Sequence, residues 1–214
     1  MRHYPAESGH HAWLALGHGA GAGQDHPWMR RVAAGLASRG VHVVTFDFPY
    51  VAAGRKVPDK GPALEAAFAE LWQEFAARAL ETGGTGVRLF AGGKSMGGRI
   101  ASQAASRDLF VPAAAGLVFF GYPLHPPAKP EQRRDRHLPA LTMPTLFLHG
   151  TRDPFGSPDE MTALVAGLPG ATLDIVSGGD HSLARAGDRA GAALEQAMDV
   201  AARWMLSRTQ SPRR

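Results

Sequence analysis

Short runs of apolar residues alternate along the chain with longer segments in which apolar residues recur at helical spacing. One such segment carries Leu64, Phe68 and Phe75 on a single face, and another carries Leu194 and Met205. Alternation of buried strands with helices predicts an α/β architecture, a mostly parallel central sheet with helices on both faces. The six predicted strands cover residues 13–16, 41–46, 87–90, 117–120, 145–148 and 172–176.

The third predicted strand runs into the sequence GGKSMGG, in which Ser95 stands between Gly93 and Gly97. A sharp turn from strand to helix is crowded, and glycine removes the Cβ that would clash there. Such a turn raises the Ser95 hydroxyl above the edge of the sheet. It also directs the Met96 amide, at the start of the next helix, toward a developing oxyanion. The pattern predicts that Ser95 is a nucleophile.

A serine hydroxyl is a weak nucleophile unless a histidine, held by a carboxylate, removes its proton. Asp153 follows the fifth predicted strand in HGTRDPFG, and His181 follows the sixth in SGGDHSL. Both lie at the edge of the sheet that carries Ser95. Asp180 is a rival for the acid, but adjacent residues on a loop usually point apart. The sequence therefore predicts His181 as the base and Asp153 as its acid.

The first predicted strand is followed by the glycine loop GHGAGAG, whose backbone amides can approach a substrate closely. The amide of Ala20 is the best single choice for a second oxyanion donor beside Met96, with Gly21 as the alternative. Asp25, ahead of a proline, is predicted to cap the next helix, which should end near Gly40.

The segments HGAGAG, GGKSMGG, HGTRD and GGDHS together resemble the landmarks of the α/β-hydrolase superfamily, from Trp13 to Trp204. The order Ser95, Asp153, His181 is the order that this superfamily uses. HGAG followed by HP, and FDFPY ahead of GRKVPD, are similar to its small dienelactone-hydrolase-like branch. The resemblance implies a compact fold with minimal or no cap and the same three catalytic residues.

The implied activity is that of an esterase-type serine hydrolase, which cleaves a small ester, thioester or lactone through an acyl-enzyme. Ser95 departs from dienelactone hydrolases proper, which use cysteine at this position, so their substrate is not carried over. Some relatives in the branch serve as interaction subunits. A non-catalytic interaction module on the same scaffold is therefore the alternative function.

Composition narrows the class of protein further. The length suits a single domain over residues 1–214, and the chain contains no cysteine. No apolar run approaches the roughly 20 residues of a membrane span, and no signal peptide begins the chain, so we expect a cytoplasmic protein.

The chain has a net charge of +4, and its charged residues do not form a convincing cluster. Arg133, Arg134, Arg136 and the tail at 208–214 are interpreted as solvated surface, so the expected partner is a small-molecule substrate and not nucleic acid.

Cofactor motifs fail on their spacing. A phosphate loop ending in GGKS needs glycine at position 88, where Arg88 stands. A dinucleotide fingerprint beginning at Gly17 would place its acidic residue, Asp47, about ten positions too late. No metal-ligand spacing connects the histidines. We therefore expect neither cofactor nor metal. The histidines considered as ligands are His10, His11 and His18.

Two features bear on the substrate. The proline-rich segment 122–144 interrupts the alternation of strands and helices, and it is predicted to form either a small lid or rim over the site or a stiff surface crossover. Lys94, Arg99, Arg55 and Lys56 favour an anionic substrate. Alternatively, Lys94 and Arg99 point away from the pocket.

Overall fold

A seven-stranded sheet forms the centre of the computed structural model, which describes residues 1–7, 11–189 and 191–209. The strand order is β1-β3-β2-β4-β5-β6-β7, with β1 antiparallel to β3 and all other neighbours parallel. His10 and residues 210–214 of the basic tail lie outside the described residues. The strands are β1 (Arg2–Tyr4), β2 (Ala12–Gly17), β3 (Val41–Thr45), β4 (Arg88–Lys94), β5 (Gly116–Phe120), β6 (Thr145–Gly150) and β7 (Ala171–Val176).

Helices cover both faces of the sheet, as the alternating pattern predicts. One apolar core lies between the sheet and helices α1 and α6, and a second lies between the sheet and α3, α4 and α5. No helix among the described residues is both long enough and apolar enough to cross a bilayer. The helices are α1 (Pro27–Ala37), α2 (Pro49–Ala52), α3 (Gly61–Gly83), α4 (Met96–Ala105), α5 (Pro158–Ala166) and α6 (Ala192–Leu206).

Burial explains why the central strands appear in the sequence as continuous apolar runs. Every residue of β2, β3, β5 and β6 is buried, because helices cover both sides of these strands. The helical stripes face inward in the same way: Phe68 and Phe75 of α3, and Met198 and Met205 of α6, are fully buried. The predicted α/β fold is confirmed.

The structure differs from the sequence-based predictions at three places near the N-terminus. The short edge strand β1 was not predicted, since its sequence RHY has no apolar run. Asp25 does not cap α1. Its carboxylate pairs with Arg2, and the ring nitrogen Nδ1 of His26 accepts the hydrogen bond from the Trp28 amide, 3.2 Å away. The helix ends at Ala37, before Gly40 turns the chain into β3 with a φ of 88°.

The 122–144 segment has little regular structure and is held against α4 by side chains. It contains a single 3₁₀ turn, Leu138–Ala140. The ring nitrogen Nε2 of His137 lies 2.7 Å from the hydroxyl of Ser102 on α4. The Tyr122 hydroxyl donates to the Arg134 carbonyl at 2.8 Å, which ties the two ends of the segment's main loop together.

Candidate active site

Ser95 sits in a strained turn between β4 and α4. Its φ of 50° and ψ of −113° place a non-glycine residue in the left-handed half of backbone space, at a cost of about 1–3 kcal/mol. Its amide donates to the Phe120 carbonyl at 3.1 Å. A Cβ at either Gly93 or Gly97 would overlap the carbonyl oxygen of Gly17 on β2. Both motif glycines are therefore required by the close approach of β2.

Three side chains from three different loops form a row of hydrogen bonds. Nε2 of His181, on the loop after β7, lies 2.9 Å from Oγ of Ser95. Nδ1 of the same ring lies 2.8 Å from Oδ2 of Asp153, on the loop after β6. The other carboxylate oxygen of Asp153 accepts from the Phe155 amide at 2.9 Å. The sheet thus brings together the three residues that the sequence predicts as nucleophile, base and acid.

Asp153 is buried but remains a good anion. Burial alone raises its pKa, but the hydrogen bond and charge of His181, with the Phe155 amide, outweigh that effect and hold the pKa below its usual value. His149 lies behind it, with Nδ1 3.7 Å from Oδ2 of Asp153, and Nε2 donates to the Gly156 carbonyl at 2.8 Å. The carboxylate is therefore fixed in position and ionised at neutral pH.

The rival acid has another role. Oδ1 of Asp180 accepts from the amides of Ser182 and Ala184, at 2.7 and 3.0 Å. These bonds shape the turn that carries His181, but they leave Asp180 directed at the backbone. Asp153 is the carboxylate that contacts the imidazole.

Two side chains hold the His181 loop by its backbone carbonyls. The Lys94 ammonium donates to the His181 carbonyl, and the Trp28 indole donates to the Ser182 carbonyl at 3.0 Å. Lys94 also lies 5.7 Å from the centre of the Trp28 ring. Burial lowers the pKa of Lys94 to about 8, although two nearby carboxylates oppose the shift. The Phe155 ring packs against the imidazole at 4.2 Å.

The glycine loop after β2 is positioned by His18. This buried ring donates from Nδ1 to the Gly19 carbonyl at 2.8 Å and accepts at Nε2 from the Phe48 amide at 3.1 Å. Burial lowers the pKa of His18, consistent with a neutral ring. Ala20 and Met96 both line the cavity beside Ser95, and within the described ranges neither amide has a hydrogen-bond partner. Gly21, the alternative donor, does not line it.

A cavity of about 500 Å³ opens onto Ser95 and His181. This volume is in the range of small-molecule sites. Lys94 and Arg99 both line it, although the Lys94 ammonium donates to the His181 carbonyl. Arg55 instead pairs with Asp59 at 2.7 Å, and Lys56 is not in the lining. The apolar lining residues include Trp28, Met29, Pro58, Leu64, Met96, Pro123 and Phe155.

A sequence model of the alpha/beta hydrolase domain family matches residues 10–210 of the chain. The chain belongs to the α/β-hydrolase family. The match covers every strand of this hydrolase except β1 and includes Ser95, Asp153 and His181. A search of curated protein sequences finds no match.

Solved structures share the fold of this α/β hydrolase at low sequence identity. The dienelactone hydrolase from Anabaena variabilis is similar with a TM-score of 0.71 and 18% identity, over 95% of this chain and 88% of that one. The monoacylglycerol lipase of Paleococcus ferrophilus has a TM-score of 0.69 and 16% identity, over 97% and 98%. Est1E from Butyrivibrio proteoclasticus has a TM-score of 0.67 and 15% identity, over 94% and 90%.

Three residues of the site were not assigned to it from the sequence of this hydrolase. Trp28 and Phe155 contact the His181 loop, and Arg134 reaches the cavity from the 122–144 segment. Phe155 lies two positions after Asp153, so the HGTRDPFG loop carried some signal for it. Arg134 was interpreted from the sequence as solvated surface, and its place in the cavity lining corrects that interpretation. No local pattern indicated this, because the path of an irregular segment depends on long-range contacts. With Pro123 also in the lining, the segment forms a rim of the cavity.

Proposed function

We propose that this α/β hydrolase is a serine hydrolase that cleaves a small ester, thioester or lactone through an acyl-enzyme. The observation that carries the proposal is the row of hydrogen bonds from Ser95 through His181 to Asp153, at 2.9 and 2.8 Å, at the wall of the cavity. A nucleophile, a base and an orienting carboxylate in contact are the arrangement that acyl transfer requires.

Acylation begins when Nε2 of His181 takes the proton from Oγ of Ser95. Oγ then bonds to the carbonyl carbon, and the electron pair of the C=O bond moves onto its oxygen. The amides of Met96 and Ala20 donate to this oxyanion. Loss of one such donor costs about 2.7–4 kcal/mol of transition-state stabilisation in comparable sites. His181 then gives its proton to the leaving alcohol or thiol, and the acyl group remains on Ser95.

Deacylation repeats these steps with water. His181 removes a proton from the water, whose oxygen attacks the acyl carbon, and Ser95 leaves with that proton. Throughout, Oδ2 of Asp153 accepts from Nδ1 of the imidazole, so that the lone pair of Nε2 faces Ser95. The ionised carboxylate also stabilises the imidazolium that forms at each step. No cofactor takes part in this cycle.

Two observations support the choice of ester-type substrates: the size of the cavity and the names of similar structures. The cavity of about 500 Å³ suits a small molecule. The similar structures named above are a dienelactone hydrolase and a monoacylglycerol lipase, whose names denote cleavage of a lactone and of an ester.

Covalent labelling tests the proposal directly. A fluorophosphonate probe should form an adduct on Ser95 in the folded protein. Ser95→Ala should abolish the adduct and the hydrolysis of 4-nitrophenyl acetate. Ser106→Ala is the matched control, because its hydroxyl caps the same helix at the Gln103 carbonyl and should leave both signals intact.

Three results separate the alternatives. Absence of an adduct on Ser95 would reject catalysis and favour an interaction module on the same scaffold. Labelling that is unaffected by His181→Ala would show that the base is wrongly assigned. Hydrolysis of 4-nitrophenyl acetate that survives Ser95→Ala unchanged would place the chemistry elsewhere.

A further inference from the structure

Two arginines, Arg99 and Arg134, line the cavity that opens onto the candidate nucleophile. Arg99 lies one helical turn beyond Ser95, whose carbonyl accepts its amide at 3.1 Å, so their α-carbons are separated by about 6 Å along the helix axis. Arg134 comes from the 122–144 segment. Its backbone is held on both sides, since its amide donates to the Leu124 carbonyl and its carbonyl accepts from the Tyr122 hydroxyl, each at 2.8 Å.

Neither guanidinium forms an ion pair with a carboxylate among the residues that the structure describes. One terminal nitrogen of Arg99 donates to the side-chain oxygen of Gln103 at 3.0 Å, and its Nε is buried with no hydrogen-bond acceptor among the described residues. Within the described residues, the Arg134 side chain also forms neither an ion pair nor a hydrogen bond. Burial, followed by repulsion from Arg134, lowers the pKa of Arg99, although Tyr122 and the carboxylate of Glu65 oppose the shift. The two cations therefore lie close together in an environment that would favour an added negative charge.

Two other arginines of this protein are paired with carboxylates. Arg39 contacts Asp199 at 2.6 Å and a second carboxylate at 3.0 Å, and Arg107 contacts the buried Glu65 at 3.1 Å. Asp59, a carboxylate in the cavity lining, is held by an arginine outside the cavity. Arg99 and Arg134 differ from these two in lining the cavity without an ion pair to a carboxylate among the described residues.

We propose that Arg99 and Arg134 bind an anionic oxygen group of the substrate, a carboxylate or a phosphate. The inference rests on the proposed function and narrows its substrate class to esters that carry a negative charge a short chain away from the scissile carbonyl. A guanidinium presents parallel N–H donors that match the two oxygens of such a group. Charge-assisted bonds of this kind, formed in a partly buried site, give both affinity and orientation.

Paired esters test the inference. The 4-nitrophenyl monoester of adipate carries a free carboxylate, and its methyl ester is the neutral match. After subtraction of spontaneous hydrolysis, we expect the wild type to prefer the anionic ester in kcat/KM by about ten-fold or more, the scale of a hydrogen bond to a charged group. In Arg134→Gln and Arg99→Gln the ratio should fall toward one. Arg136→Gln removes an exposed charge from the same segment and should keep the wild-type ratio.

Binding without turnover gives an independent readout. Calorimetric titration with adipate monomethyl ester should show binding to Ser95→Ala, weakened about ten-fold or more when Arg134→Gln is added. Inhibition by inorganic phosphate, compared with inhibition by this monoester, shows which anion the site accepts. If Arg99→Gln does not fold, the same measurements are made on Arg99→Lys and Arg134→Gln.

The failures of the two proposals are distinguishable. Equal kcat/KM for the charged and neutral esters, with hydrolysis still dependent on Ser95, would overturn the anion site and leave the serine hydrolase intact. A preference for the anionic ester that persists in Arg134→Gln would also overturn it. Absence of hydrolysis and of fluorophosphonate labelling would reject the proposed function, while the titration would still decide whether the two arginines bind an anion.

Discussion

Replacement of Asp153 by asparagine tests the role of the carboxylate with almost no change in shape. In the folded protein, one carboxylate oxygen accepts from the Phe155 amide at 2.9 Å and the other accepts from Nδ1 of His181 at 2.8 Å. The carbonyl oxygen of an asparagine must stay on the Phe155 amide, so its NH₂ group faces His181. The imidazole then accepts at Nδ1 and carries its proton on Nε2.

The consequence for Ser95 is a reversal of its hydrogen bond. Nε2 of His181, 2.9 Å from Oγ, becomes a donor and can no longer remove the proton of the hydroxyl. A wrong tautomer of this kind lowers kcat about 10⁴-fold in a serine hydrolase, which corresponds to about 5.4 kcal/mol. We expect Asp153→Asn to lower kcat for 4-nitrophenyl acetate by about that factor, with a small change in KM.

The matched control is Asp180→Asn. Its side-chain oxygen accepts from two backbone amides, and an asparagine oxygen can still accept both bonds, although more weakly than a carboxylate. We expect this variant to keep most of the wild-type activity. Circular dichroism should confirm that both variants are folded. Activity of Asp153→Asn within about three-fold of the wild type, or an equal loss in Asp180→Asn, would refute the assignment of the acid.

Three further predictions concern stability and the loops of the site. Gly97→Ala places a Cβ against the backbone of β2 and should lower the free energy of unfolding by about 3 kcal/mol, as measured by urea titration. The control is Gly61→Ala, which has room for a Cβ and should not lower the free energy of unfolding. Burial lowers the pKa of His137 to about 4, below its ordinary 6.5, so the stability it contributes is present above pH 6.5 and is lost as the pH falls through 4. His137→Gln should flatten this part of the stability profile. Trp28→Phe removes one tether of the His181 loop and should lower kcat about ten-fold by stopped-flow assay, and no change would contradict the tether.

The central strands were predictable because burial on both faces leaves no room for polar residues. The apolar runs locate six strands of the sheet to within a few residues of their observed ends. The prediction of β4 stopped at Phe90, although the strand continues to Lys94, because the glycines of the elbow have no apolar signal. The edge strand β1 is short, and its pairing with β3 is set by the sheet and not by its own sequence.

The three central residues of the candidate site were more predictable than the residues that surround the cavity. Ser95, Asp153 and His181 each follow a predicted strand, so topology alone brought them to one edge. Arg134 lies in a segment whose course depends on the contacts of Tyr122 and His137 with distant residues, and no local pattern encodes them. The charge of Arg55 suggested an anion site from sequence, but Arg55 lies outside the cavity lining and forms an ion pair with Asp59.

The pairing of β6 with β7 sets Gly150 opposite Val176, three residues before Asp153 and five before His181. A slip of one residue between these strands would move the two loops apart by about 3.3 Å, more than a hydrogen bond tolerates. Catalytic competence would then report the alignment of β6 with β7. An activity assay on this protein would detect misalignment of the sheet that spectroscopic measures of secondary structure do not resolve.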